Sequence, residues 1–162
     1  MRWVYSLLAY LLLPVLLGYF LWRSRVEPEY RKRWHERIGF IPKQTPGQIW
    51  IHAASVGELQ AARPLIDALL ERQFYVWVTT FTPTGSDQVQ SIWKGRVGHS
   101  YLPVDTPGAV SRFLRRLQPG LGMVMESEFW PNLYAGCAQR DIKLVWISAR
   151  LSERSLSGYK KW

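Results

Sequence analysis

The sequence predicts an α/β fold, a parallel sheet with flanking helices, preceded by one membrane-spanning helix. Short apolar runs of strand length alternate with helical stripes of apolar residues from residue 49 onward. The polar and glycine-bearing segments fall directly after the strand candidates, and a charge-free apolar stretch opens the chain.

That opening stretch, Trp3 to Trp22, contains no charged residue, so a helix through it would be about 30 Å long, enough to cross a hydrocarbon core. Trp3, Tyr5, Tyr19, Phe20 and Trp22 mark its ends, where amphipathic rings favour headgroup layers. Gly18-Tyr19-Phe20-Leu21-Trp22 is bulky where a signal peptidase needs small residues, which argues for a retained anchor. Pro14 is a place for a kink. Only Arg2 precedes the run, whereas Arg23, Arg25, Arg31, Lys32, Arg33 and Arg37 follow it, so positive-inside bias places the following domain in the cytoplasm. Residues 27–38, with Glu27, Glu29 and Glu36 interleaved, read either as a solvated helix face or as a membrane-docking surface. The expected division is an anchor over 1–22, a basic juxtamembrane helix and linker over 23–47, and the α/β domain over 48–162.

The strand candidates are Ile49 to Ala53, Phe74 to Thr80, Val97 to Leu102, Leu121 to Met125 and Leu144 to Ser148. Leu59, Ala62, Ile66 and Leu69 form one helical stripe, and Val110, Phe113, Leu114 and Leu117 another. Thr106-Pro107 offers an N-cap followed by proline at the first helical position. Pro64 predicts a kink or a late start in the first of these helices.

A formal net charge of +9, with nine Trp and eight Tyr, fits an anionic partner: a phospholipid surface, a phosphorylated substrate or nucleic acid. No nucleic-acid module is recognisable, and that reading rests on charge and aromatics alone. The lone Cys137 and the scattered His35, His52 and His99 give no disulfide and no zinc spacing, so a reducing compartment and no structural metal are expected.

In an open parallel sheet every post-strand loop emerges at the carboxyl edge, the ligand-binding side of such folds. Glu58, after the Ser55-Val56-Gly57 turn at a helix start, is placed either to take a proton from an attacking hydroxyl or simply to complement the helix dipole. Glu126 and Glu128 share a side only if the chain turns there; they orient sugar hydroxyls, or one of them caps the helix beginning near Asn132. Thr82, Thr84 and Gly85 form either a phosphate cradle or an ordinary N-cap. Neither a P-loop nor a full dinucleotide fingerprint is present, and Ser55 lacks the elbow of a serine hydrolase. Arg150 suits a phosphate or carboxylate as a two-pronged donor, or a surface ion pair.

Read in order, the blocks resemble the 3-deoxy-manno-octulosonic acid (Kdo) transferases. They are Arg37-Ile38-Gly39-Phe40-Ile41-Pro42, Ile49-Trp50-Ile51-His52-Ala53-Ala54-Ser55-Val56-Gly57-Glu58, Thr80-Phe81-Thr82-Pro83-Thr84-Gly85, Pro103-Val104-Asp105, Glu126-Ser127-Glu128-Phe129-Trp130-Pro131-Asn132 and Ser148-Ala149-Arg150-Leu151-Ser152. Ser127 and Phe129 stand where the family pattern has Thr and Leu or Ile. The resemblance implies the N-terminal, Rossmann-like half of a B-type glycosyltransferase fold, with no cofactor and no metal. It further implies CMP-Kdo as donor, the 6′-hydroxyl of the lipid A precursor as acceptor, inversion at the anomeric carbon, and a role in lipopolysaccharide synthesis at the cytoplasmic face of the bacterial inner membrane. On this resemblance Glu58 matches the general base. Ser55, Gly57, Thr82, Thr84, Gly85, Glu126, Glu128, Asn132 and Arg150 fall in the acceptor-binding blocks. Family members are more than twice as long and carry most of the donor site in a second domain, so the 162 residues alone are expected to be inactive. The alternative is a non-catalytic, membrane-bound module that recognises anionic lipid through its basic stretch, without nucleic acid as a partner.

Overall fold

The structure, a computed structural model, describes residues 2–126 and 128–148. Helix α1 (Arg2–Arg23) leads through a 3₁₀ turn (Pro28–Arg31) and the short α2 (Trp34–Arg37) into the sheet domain. There β1 (Ile49–His52), α3 (Val56–Glu71), β2 (Val76–Thr80), α4 (Pro83–Trp93), β3 (Gly98–Tyr101), α5 (Pro107–Leu117), β4 (Leu121–Met125), α6 (Pro131–Ala138) and β5 (Lys143–Ile147) follow in strict alternation. The five strands are ordered β3-β2-β1-β4-β5, and every neighbouring pair is parallel. The order reverses between β1 and β4, which makes their carboxyl ends the topological switch point.

Alternation of side chains along β1 divides the core into two layers. Ile49 and Ile51 join Leu59, Ala62 and Ile66 of α3 and Val89 and Trp93 of α4 on one face. Trp50 joins Val110, Phe113, Leu114 and Leu117 of α5 and Leu133 and Cys137 of α6 on the other. Burial pushes the Cys137 thiol up to about 12. The second layer is levelled by a row of large and small residues across the sheet. Trp50 and Trp77 are register partners on adjacent strands, and the outer partner of each is a glycine, Gly122 for Trp50 and Gly98 for Trp77. A Cβ on Gly98 would lie 2.0 Å from the Trp77 ring, and one on Gly122 would lie 2.9 Å from that of Trp50. Each indole thus lies over a strand that has made room for it, and donates its N–H within the sheet, Trp50 to Thr79 at 2.9 Å and Trp77 to Ser100 at 3.1 Å.

The strands match the expected ones to within two residues at each end. Phe74 and Tyr75 precede β2 and stay exposed, because Gln73 at φ 63 turns the chain before it enters the sheet. The expected late start at Pro64 does not occur: α3 runs unbroken from Val56, with Pro64 on its exposed side, where water can reach the carbonyl that proline leaves without a partner. Thr106 does occupy the N-cap of α5 with Pro107 in its first turn, but its side chain makes no capping bond.

The stretch before the sheet differs most from expectation. Residues 27–38 do not form one solvated helix: a 3₁₀ turn and the short α2 fold them against the domain, and part of their charge is engaged there. Arg33, at φ 59, bonds Glu36 at 2.8 Å, Ser86 at 3.0 Å and the His99 carbonyl at 3.1 Å, while Glu36 accepts the Tyr101 amide at 2.9 Å. Burial, with Arg33 alongside, pushes the His99 imidazole down to about 3. These contacts cover part of the open edge of β3, which would otherwise present unpaired amides. Arg37 is 1% exposed, held between the rings of Phe20 at 4.4 Å and Tyr101 at 4.3 Å, and burial lowers its affinity for its proton. Helix α1 therefore rests on the domain at Phe20, whose burial is worth about 2 kcal/mol.

Gly98→Ala should lower stability by about 2 kcal/mol, because the Trp77 ring has nowhere to move without losing Ser100. Urea unfolding should show a lower midpoint at unchanged slope, and an unchanged midpoint would contradict the packing described.

Candidate functional site

The switch point gathers two turns, the one after β1 and the one after β4. In the first, Ser55 has extended backbone and caps α3, its hydroxyl oxygen accepting the Glu58 amide at 3.2 Å. Glu58 reaches back, one carboxylate oxygen taking the Ala54 amide at 2.8 Å and the other the Ser55 hydroxyl at 2.9 Å, a variant of the capping box. Glu58 as a residue is 9% exposed, so it is neither freely solvated nor sealed completely. Each oxygen spends one lone pair on the turn and keeps another. Gly57 is exposed beside it, and among the described residues a Cβ there would meet nothing nearer than the Ser55 hydroxyl at 3.8 Å. Packing does not require this glycine. A helix position that gives up a side chain at some cost in stability, next to open space, leaves room for another molecule to approach the backbone.

After β4 the chain makes the turn that sequence alone left open. Glu126 takes φ 57, its amide bonds the Ile147 carbonyl at 2.8 Å, and it is exposed. Glu128 points back to the sheet, where one oxygen accepts from His52 Nε2 at 2.9 Å and from the Trp130 indole at 2.9 Å. The two carboxylates thus face different surroundings. His52 is fully buried, its Nδ1 lying 3.0 Å from the Thr79 hydroxyl and 3.1 Å from the Thr79 carbonyl. Burial works to raise the Glu128 carboxyl, but the His52 bond and charge, with the Trp130 bond, outweigh it and hold it below the ordinary glutamate value. Tyr134 donates to the Glu128 carbonyl, and Trp146 donates to the Tyr134 oxygen at 3.0 Å. His52 and Trp130 were quoted in the sequence blocks without a role, and no local spacing signals their pairing with Glu128.

Neither glutamate caps α6, which was one of the two roles their positions allowed. The carboxylate of Asp105, in the loop after β3, accepts the amides of Asn132 at 3.0 Å and Leu133 at 2.8 Å. Burial raises its affinity for a proton, and those amide bonds oppose the rise. Asn132 is used up structurally: it donates to the Asp105 carbonyl at 2.7 Å and accepts from Ser6 of α1 at 2.9 Å. On the β2 side, Thr82 caps α4 by accepting the Gly85 amide at 3.2 Å, so that amide already has a partner, and Thr84 is exposed with its hydroxyl 3.1 Å from that of Thr82. Gly85 is explained by packing, since a Cβ would come within 3.1 Å of Thr80. Arg150, like Ser127 and residues 149–162, lies outside the described residues.

The rim is thus an array of carboxylates, hydroxyls and aromatic rings. Beside it, α1 and the loops after β2, β3 and β4 enclose a cleft of about 260 Å³ lined by Leu13, Leu16, Phe81, Val104, Asp105 and Trp130 among others. Phe81 and Trp130 stack across it with centroids 6.1 Å apart.

Residues 32–162 match the family model described as 3-deoxy-D-manno-octulosonic-acid transferase (kdotransferase). Among similar proteins, the 3-deoxy-D-manno-octulosonic acid transferase of Haemophilus influenzae is 42% identical over 99% of this chain and 39% of its own length. Those of Bordetella pertussis and Rickettsia bellii are 41% and 32% identical, over 71% and 98% of this chain and 28% and 38% of their own lengths. The chain thus spans less than half the length of the curated relatives it matches.

The stability carried by the His52–Glu128 contact should be present above the ordinary glutamate range and lost as pH falls through the depressed value of Glu128. In carbon-detected NMR titrations the Glu128 carboxyl should titrate below other glutamates and move up in His52→Gln; an unmoved midpoint would refute the coupling.

Proposed function

The chain belongs to the Kdo transferase family, and from that premise we propose that it forms the acceptor-facing part of an inverting, metal-independent glycosyltransferase. In this reading the donor is CMP-Kdo, held mainly by a further domain that the longer relatives have room for. The acceptor is the 6′-hydroxyl of the lipid A precursor, at the cytoplasmic face of the bacterial inner membrane.

The observation that carries the reading is the presentation of Glu58. Its carboxylate is held at the switch point by the Ala54 amide and the Ser55 hydroxyl, beside the open space over Gly57. A hydroxyl seated there would donate to a remaining lone pair of Glu58, and as it attacks the anomeric carbon its proton would pass to that oxygen. The bond to the cytidylate oxygen breaks as the new glycosidic bond forms, and attack from the opposite side inverts the centre. The turn bonds fix the carboxylate before substrate arrives, so little ordering remains for the reaction itself.

Glu128, set back against His52 and Trp130, suits a positioning role, and the exposed Glu126 and Thr84 suit contacts to sugar hydroxyls or phosphate at the rim. Of the cations at residues 31–33 that the competing lipid-binding module would use, Lys32 is paired with Glu29 and Arg33 with Glu36, Ser86 and His99.

Glu58→Gln in the full-length protein should reduce Kdo transfer by roughly 10²- to 10⁴-fold with little change in the KM for the acceptor. The amide is close in size, so thermal unfolding should report a folded protein; transfer at the normal rate would overturn the assignment of the base.

A further inference from the structure

Helix α1 is apolar all round, yet it is tied to the domain. Near its start Ser6 donates to Asn132 at 2.9 Å, and the Tyr10 hydroxyl accepts the Gly108 amide at 3.2 Å. Near its end Phe20, 2% exposed, lies 4.4 Å from the Arg37 guanidinium and packs beside Phe81 and Tyr30. Ser6 and Phe20 are about 20 Å apart along a helix axis, two-thirds of a hydrocarbon core of about 30 Å. The far side of the helix is bare: Val4, Leu8, Leu11, Val15 and Trp22 recur at helical spacing and are between 51 and 67% exposed.

A helix tied to a polar domain at both ends cannot cross a bilayer without taking its tie points along. Asp105, Asn132 and Arg37 would then sit at hydrocarbon depth, where charges and unpaired polar groups are costly. In the plane of the interface the same helix avoids this, with its docked side on the protein and its bare side in the acyl boundary. Trp3, Tyr19 and Trp22 supply interfacial rings at the two ends. Exposed Arg2 at one end, and Arg25 and Arg31 beyond the other, complement anionic headgroups.

We propose that α1 lies in the plane of the membrane, shallowly immersed along its bare stripe, and holds the carboxyl-edge loops at headgroup level. The proposal rests on the membrane attachment put forward above and replaces the spanning lie expected from sequence by an in-plane one. It brings the rim to the depth of a lipid headgroup, where a sugar hydroxyl of a membrane glycolipid would be presented.

The test is a depth profile. Val4→Cys, Leu11→Cys and Tyr19→Cys, each at an exposed position, are labelled singly with a nitroxide in the full chain; Cys137 is fully buried and does not compete. In vesicles of phosphatidylethanolamine and phosphatidylglycerol, the relative accessibility to oxygen and to a water-soluble nickel chelate reports depth. All three labels should sit at one shallow depth, roughly 5–10 Å below the headgroup boundary. A label at Leu11 near the bilayer centre, with those at Val4 and Tyr19 near opposite surfaces, would overturn the in-plane lie and leave membrane attachment standing. Labels that all remain in water would overturn both.

Discussion

One buried carboxylate organises the carboxyl edge of the sheet. Asp105 leaves the loop after β3 and takes the amides that open α6, which the N-cap residue Trp130 does not cap with its own side chain. Amides at a helix start that are neither solvated nor paired would cost stability, so the loop after β3 and the start of α6 are joined by necessity. Asn132, fixed in this way, offers its side-chain oxygen to Ser6. The segment between β4 and α6, with Glu128 and Trp130, is held at both ends. What looks like a row of separate loops is one bonded rim.

Beneath the rim the sheet is stiffened by size complementarity. Trp50 and Trp77 lie side by side in the central strands, and their outer partners Gly122 and Gly98 have no side chain to lift them. The indole N–H groups end on Thr79 and Ser100, and Thr79 in turn faces His52. A continuous chain of packed and hydrogen-bonded groups therefore runs from the second core layer to Glu128. The position of that carboxylate is a property of the core as much as of its own loop, whereas Glu58 is oriented by its near neighbours Ala54 and Ser55.

Much of the architecture was legible in the sequence because strands buried on both faces read as uninterrupted apolar runs, and because a parallel order sends every polar turn to one edge. The turn at Ser55 and Glu58 needs no distant partner, its bonds spanning only a few residues. The rest depends on pairs far apart in the chain. Nothing local ties Asp105 to Asn132, or His52 to Glu128, and a left-handed residue at Glu126 has no signature when it is not glycine. Counting charged residue types failed at Glu36 and Arg37: both are buried, one bonded to the β3 backbone and the other enclosed by aromatic rings.

The short segment between α1 and the sheet has a practical bearing on any shortened form of this protein. Residues 28–37 shield the outer strand β3 through Glu36 and Arg33, so trimming them away with the hydrophobic leader would uncover backbone able to pair with another copy. A soluble derivative should therefore begin between Arg25 and Pro28. Because Phe20 would go with the leader, replacing Phe81 by a more polar residue is the natural companion change, to keep the newly bared aromatic surface from driving self-association.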